Sequence, residues 1–181
     1  MELKGERLIP APIDATWAAL NDPEVLKHCV VGCDTLERTA DDAFQAQMAV
    51  KIGPVSARFK GSMKLTDVNP PTSYTIHFEG QGGVAGHGKG SADVLLAVAE
   101  TDGHTLLTYV ARAQVGGKIA QIGSRLVDAA AGKIADEFFQ AFEARFKAAQ
   151  APAEGDAAAE TENSDSEASG TKKSWLPWKR G

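Results

Sequence analysis

Few residues in this chain combine a reactive type with a telling spacing. His28, Cys29 and Cys33 form one cluster, at the end of a short helical pattern. A structural zinc takes four ligands at recognisable spacings, and a Cys-x-x-x-Cys pair with one histidine falls short of that. A catalytic thiol needs an activating base beside it in space; the plainer alternative is a pair of small buried thiols. Gly80-Gln81-Gly82-Gly83-Val84-Ala85 has the form of a dinucleotide fingerprint. That fingerprint sets a pyrophosphate on the N-terminus of a following helix, whereas the alternation after Gly90 predicts a strand. The stretch 80–90 holds six glycines. It reads either as a flap that opens over a cavity or as a wide bulge with no gating role. His87 within it is either solvated or a partner for a ligand carbonyl. The residues thus assign no catalytic group and no metal.

The elements that position these residues follow from periodicity. Residues 2–9 read as a strand closed by Pro10 and Pro12. Asp14 is the expected N-cap of a short helix carrying Trp17 and Leu20. Asp22-Pro23-Glu24 starts a second short helix, with a cap, a proline at the first position and an acid in the first turn. From residue 33 to 115 the period is two. Phe44, Ala46, Met48, Val50 and Ile52 share one face, as do Val55, Ala57, Phe59, Gly61, Met63 and Leu65. Tyr74, Ile76 and Phe78 alternate with polar residues, and so do Ala92, Val94, Leu96 and Val98. Asp102-Gly103 marks a hairpin turn, which returns into Leu107, Tyr109, Ala111 and Ala113. Residues 118–148 read as one long helix with a stripe of Ile119, Ile122, Leu126, Ala130, Ile134, Phe138, Phe142 and Phe146.

The predicted fold is therefore α+β: a curved antiparallel sheet wrapped around a long C-terminal helix, with two short helices after the first strand. Such a sheet has one apolar face, and the helix is its cover. Small inward residues (Ala46, Ala57, Gly61, Ala92, Ala111, Ala113) either leave a ligand cavity or lie packed beneath the helix. The expected lining is Trp17, Met48, Phe59, Met63, Phe78, Val84, Leu96, Tyr109, Ile122 and Leu126. No carboxylate falls on an inward strand position between residues 43 and 113, which argues against general acid–base chemistry. Tyr109 is the one ionisable side chain expected inside.

Charge divides the chain into three parts. Residues 1–150 form the globular domain and carry a small net negative charge, which gives no footing for a nucleic-acid partner. Residues 151–171 hold acids and no base and read as a disordered acidic linker, about 25 Å in r.m.s. span if flexible. Residues 172–181 are basic. Lys172, Lys173, Trp175, Leu176, Trp178, Lys179 and Arg180 pair cations with indoles, the composition of a reversible contact with an anionic membrane surface. The alternative is a docking peptide for a protein groove. There is no apolar signal peptide at the start and no run of about 18 apolar residues, so a reduced, cytoplasmic setting is expected.

Across the domain, residues 1–148 resemble the G-subunit family of carbon monoxide dehydrogenase, within the START-like helix-grip superfamily. The resemblance is carried by Gly5-Glu6 through Pro10, by Asp14, Trp17 and Leu20, and by Asp22-Pro23-Glu24-Val25-Leu26. It continues through Gly32-Cys33, the Gly80–Gly90 stretch, Tyr109, Val115 to Gly123 and Phe138-Phe139. Where relatives often have Ile-Pro before the Gly-Cys pair, this chain has Val30-Val31. The resemblance implies a non-catalytic accessory protein that recruits a molybdenum-containing dehydrogenase to the inner face of the cytoplasmic membrane. It also implies a bound, non-covalent quinone, menaquinone or ubiquinone, as the hydrophobic small molecule. A pure membrane anchor with a packed core, and a cyclase- or hydrolase-like enzyme, are the other readings.

Overall fold

The computed structural model describes residues 1–150. The linker of residues 151–171 and the tail residues Lys172, Lys173, Trp175, Leu176, Trp178, Lys179 and Arg180 lie outside the described residues.

The chain opens with β1 (Glu2–Ile9), followed by α1 (Ile13–Leu20) and α2 (Pro23–Cys29). Six strands follow: β2 (Cys33–Ala40), β3 (Ala43–Ile52), β4 (Val55–Asn69), β5 (Ser73–Gln81), β6 (His87–Val98) and β7 (Thr105–Gly116). Two helices close the described chain, α3 (Lys118–Gln121) and α4 (Ser124–Gln150). All seven strands form one antiparallel sheet in the order β1-β7-β6-β5-β4-β3-β2. It is a hairpin meander with β1 added to its far edge, as short connections between antiparallel strands dictate.

Local sequence explains the starts of the helices. Asp22 accepts a 2.9 Å hydrogen bond from the Glu24 amide, and Pro23 takes the first helical position, where its missing N–H costs nothing. In α1 the cap position belongs to Pro12 rather than the expected Asp14. The helix starts early because Pro12 is held extended and its carbonyl accepts the Thr16 amide at 2.9 Å. Asp14 falls instead in the first turn, where its charge complements the exposed amides.

The larger departure from expectation is at Gly123. Its φ of +98° breaks the expected single helix into α3 and α4. The break resets the phase of the apolar stripe. Val127, Phe139 and Phe142 are the buried side chains of α4, whereas Leu126 is 50% exposed and Ile134 also faces outward in part. Val98, expected inside, is 74% exposed on the last rung before the β6–β7 turn.

Helix α4 crosses the inner face and is pinned to both sides of it. On one side Arg7 of β1 pairs with Asp136 and lies over the Phe139 ring at 5.3 Å. On the other it packs against α2. Phe138, Phe139, Phe142 and Phe146 stack down its inner face with centroid separations of 5.2 to 5.8 Å. A buried hydroxyl pair ties the β1–α1 connection to β7. Thr105 donates to the Ala11 carbonyl at 2.7 Å, and Thr16 lies 3.3 Å from Thr105.

Candidate ligand cavity

The register lays the inner face out in rows across β5, β6 and β7. Tyr74, Val94 and Tyr109 form one row, Ile76, Ala92 and Ala111 the next, and Phe78, Gly90 and Ala113 the third. On the neighbouring strands Ala46 opposes Gly61, which opposes Gly80. Small side chains therefore run through the middle of the face while large ones stand at its margins. The helix rests on the large ones and leaves space over the small ones.

That space is two adjoining chambers. The deep chamber holds about 460 Å³ and lies between the Tyr74 and Ile76 rows and Ala131, Ala135, Phe138 and Phe139 of α4. The second chamber, about 350 Å³, lies toward the ends of β3 and β7, between Met48, Val50, Phe59 and Val115 on one side and Ile119 and Val127 on the other. Met63, Phe78 and Ala131 wall both chambers. A larger hollow, about 950 Å³, is an open trough on the outer, solvated face, with Lys64, His77, Glu79 and Arg112 along it. Its lining mixes charged and apolar side chains, whereas the two chambers are apolar almost throughout, so the pair is the candidate site.

The chambers are apolar almost throughout. Among the described residues, Tyr74 and Tyr109 are the only titratable side chains lining the deep one. Tyr74 is 4% exposed, and burial pushes its phenol well above the ordinary value. Its ring meets the edge of Trp17 at 5.3 Å, and Tyr109 stacks on Phe139 at 5.2 Å. Among the described residues no side-chain nitrogen or oxygen is both sealed and unpaired. Both rings line the chamber, and the Tyr109 hydroxyl lies over Gly5 of β1. Each hydroxyl can donate to a ligand acceptor.

Of the expected lining residues, Met48, Phe59, Met63, Phe78 and Tyr109 line the chambers. Trp17 packs outside them, behind Tyr74. Leu96 pairs with Leu107 one row beyond Tyr74 and is sealed in the core. Ile122 and Leu126 are set aside by the phase change at Gly123; a Cβ on Gly53 would lie 4.0 and 3.8 Å from their side-chain tips, at the β3–β4 turn. Val84 is 84% exposed on the three-residue 3-10 turn Gly83–Ala85 and lines nothing. Tyr74 and the alanines of α4 were not anticipated. The tyrosine's alternation was visible, whereas the alanines matter only through the helix phase.

The glycine-rich stretch is mostly strand, because β5 runs to Gln81 and β6 begins at His87. No helix long enough to hold a pyrophosphate follows it. Two of its glycines are there for close approach: a side chain on Gly86 would meet the Gly116 carbonyl, and one on Gly90 would meet the Arg112 carbonyl. His87 is exposed. Cys29 is buried and Cys33 half-buried; both are free, and desolvation raises both thiols above their ordinary value. No group of three or more metal-ligating side chains exists among the described residues. No helix among them is long and apolar enough to cross a membrane.

The chain is similar to a conserved protein from Geobacillus kaustophilus, at 28% identity and a TM-score of 0.76, covering 82% of this chain and 97% of that one. A START superfamily protein from Mycobacterium smegmatis matches at 15% identity and a TM-score of 0.60, over 82% of this chain and 98% of that one. The Zhui aromatase/cyclase of a Streptomyces species matches at 13% identity and 0.58, over 86% and 98%. At such identities the last two show the shared fold alone. No functionally curated protein matches the chain. The family model for the G-subunit of carbon monoxide dehydrogenase (CoxG) matches residues 5–147, nearly all of the described fold, and the chain belongs to that family.

Proposed function

We propose that this protein is a non-catalytic carrier of a respiratory quinone that recruits a molybdenum-containing dehydrogenase, of the carbon monoxide dehydrogenase type, to the inner face of the cytoplasmic membrane. The observation that carries the ligand reading is an apolar cavity between sheet and helix, lined by two tyrosines whose hydroxyls bond to no described residue. A quinone is an apolar ring with two carbonyl acceptors and a long apolar chain. Tyr74 and Tyr109 sit on one row two strands apart, about 10 Å between backbones, and their hydroxyls suit the ring carbonyls. The second chamber, with Met48, Phe59 and Val127, suits the chain. Family membership supports the enzyme partner. The basic tryptophan-bearing residues 172–181 support attachment to anionic lipid.

The fold is shared with an aromatase/cyclase. An enzyme of that class needs an acid and a base facing the substrate. Among the described residues the deep chamber's titratable side chains are two phenols, Tyr74 and Tyr109, and this favours binding over catalysis.

The test is organic extraction of the protein purified from its own membrane-containing cells, followed by mass spectrometry. A near-stoichiometric quinone is the expected result. An empty extract, together with no uptake of added quinone, leaves a membrane tether without cargo.

A further inference from the structure

Beyond the tail, the folded domain has two ends of opposite chemistry. The meander sends every second connection to the same end of the sheet. One end carries the loops 10–14, 20–24, 40–43, 67–73 and 98–105. Their charged residues are Asp14, Asp22, Glu24, Asp41, Asp42, Asp67, Glu100 and Asp102, with no lysine or arginine. The other end carries the segments 30–33, 51–55, 81–87 and 116–126. Their charged residues are Lys51, Lys118 and Arg125, with no acid. Cations flank the acidic end, where Arg38 donates to the Asp41 and Asn21 carbonyls, Lys64 lies 3.9 Å from Asp42 and Lys147 lies 4.0 Å from Glu143; at the basic end Arg58 lies 3.5 Å from Asp34. The acids that border these segments are Asp34, at the start of β2, and Asp128, a turn into α4.

The basic end also exposes apolar side chains. Val84 projects on its 3-10 turn, Val31 stands between α2 and β2, and Leu126 lies over the β3–β4 turn. Behind these residues lies the outer chamber of the cavity.

We propose that this end is a docking face for an anionic bilayer. Val84, Leu126 and Val31 enter the headgroup layer, and Lys51, Lys118 and Arg125 meet lipid phosphates. The acidic end is repelled by the same surface, so the charge polarity fixes the orientation as well as the affinity. Single exposed valines are ordinary on protein surfaces; their coincidence with Lys51, Lys118 and Arg125 at the cavity's outer chamber is not. Docking this way places the cavity against hydrocarbon, and an apolar ligand passes between them without crossing water. That purpose rests on the carrier reading, whereas the docking itself does not. Helix α4 spans about 40 Å from this end to the other, and the residues 151–171 can extend to about 70 Å at most. A tail held on the same surface is therefore within reach.

The test uses the full chain with Cys33→Ser and a nitroxide on Val84→Cys or, as control, on Asp102→Cys; the remaining Cys29 is buried. On vesicles of phosphatidylcholine and phosphatidylglycerol, the label at 84 becomes accessible to oxygen and shielded from a nickel chelate. The label at 102 stays in water. Lys51→Glu, Lys118→Glu and Arg125→Glu together, in a chain of unchanged circular dichroism, weaken vesicle binding on the order of a hundredfold or more. A bound protein whose label at 84 is as open to chelate as that at 102 overturns the proposal. So does a charge-reversed chain that binds within twofold of the parent. A shielded label at 84 with no uptake of quinone from quinone-loaded vesicles sinks the carrier reading and leaves the docking face standing.

Discussion

Replacing Ala111 by leucine tests whether the deep chamber is empty space. Ala111 sits between Leu3 of β1 and Ala92 of β6, on the row that also holds Ile76, and it lines the deep chamber. The substitution adds three carbons. If they enter a vacant apolar chamber, their burial contributes about 2 kcal/mol, from about 0.8 kcal/mol per methylene. Ordering the longer side chain returns about 0.5–1 kcal/mol of that. The net gain is about 1–2 kcal/mol, which for a domain of this size raises the midpoint of thermal unfolding by roughly 3–6 °C. A packed chamber gives the opposite sign, because overfilling a closed core costs about 1–3 kcal/mol. The assay is thermal unfolding of the full chain, stripped of ligand by detergent and followed by circular dichroism, with calorimetric titration of a short-chain quinone alongside. The expected outcome is a more stable protein that binds the quinone at least tenfold more weakly. A less stable protein that binds as before refutes both the vacancy and the site.

Tyr74→Phe leaves stability at neutral pH nearly unchanged, because the hydroxyl has no described protein partner, but it weakens quinone binding in the same titration. The same variant reports on pH. Burial raises the Tyr74 phenol in the folded state, so the unfolded chain ionises first, from about pH 10. The stability contribution is therefore intact below that value and falls as pH climbs above it, by up to about 1.4 kcal/mol per pH unit. Urea unfolding at pH 9 to 11 shows a shallower decline for Tyr74→Phe than for the parent; equal slopes contradict the assignment. Thr105→Val removes the 2.7 Å donor to the Ala11 carbonyl at a site with no exposure and costs about 1–3 kcal/mol in urea unfolding. Quinone binding, measured by the same calorimetry, is retained because the pair lies beyond the chambers. Deleting residues 172–181 removes four cations at about 1 kcal/mol each and lowers affinity for anionic vesicles on the order of several hundredfold in a sedimentation assay. Unchanged sedimentation rules out a membrane role for the tail.

The strands, their facing and their number after the two short helices were legible in the sequence. A period of two is a local property, and a one-residue slip in any strand would turn its whole apolar set outward. The Asp22-Pro23 helix start was legible for the same reason: the cap and the amide it satisfies lie two residues apart. The small inward residues were visible too, and so was the family resemblance spread over the domain.

What sequence left open was decided by distance along the chain. Ala92 and Ala111 become one gap only through the register of β6 on β7, and that gap stays open only because α4 lies across it on its phenylalanines. Gly123 looks like any other glycine in a helical run; its left-handed φ moves Leu126 out and Val127 in. The glycines of residues 80–90 read as freedom of motion, yet Gly86 and Gly90 are glycine because a neighbouring strand's carbonyl occupies the place of a side chain. The sorting of acids to one end and bases to the other is invisible in the linear order, where the segments alternate. Periodicity is set by neighbours and can be read from neighbours. Cavities, close approaches and charge poles are made by residues far apart in the chain, and only folding brings them together.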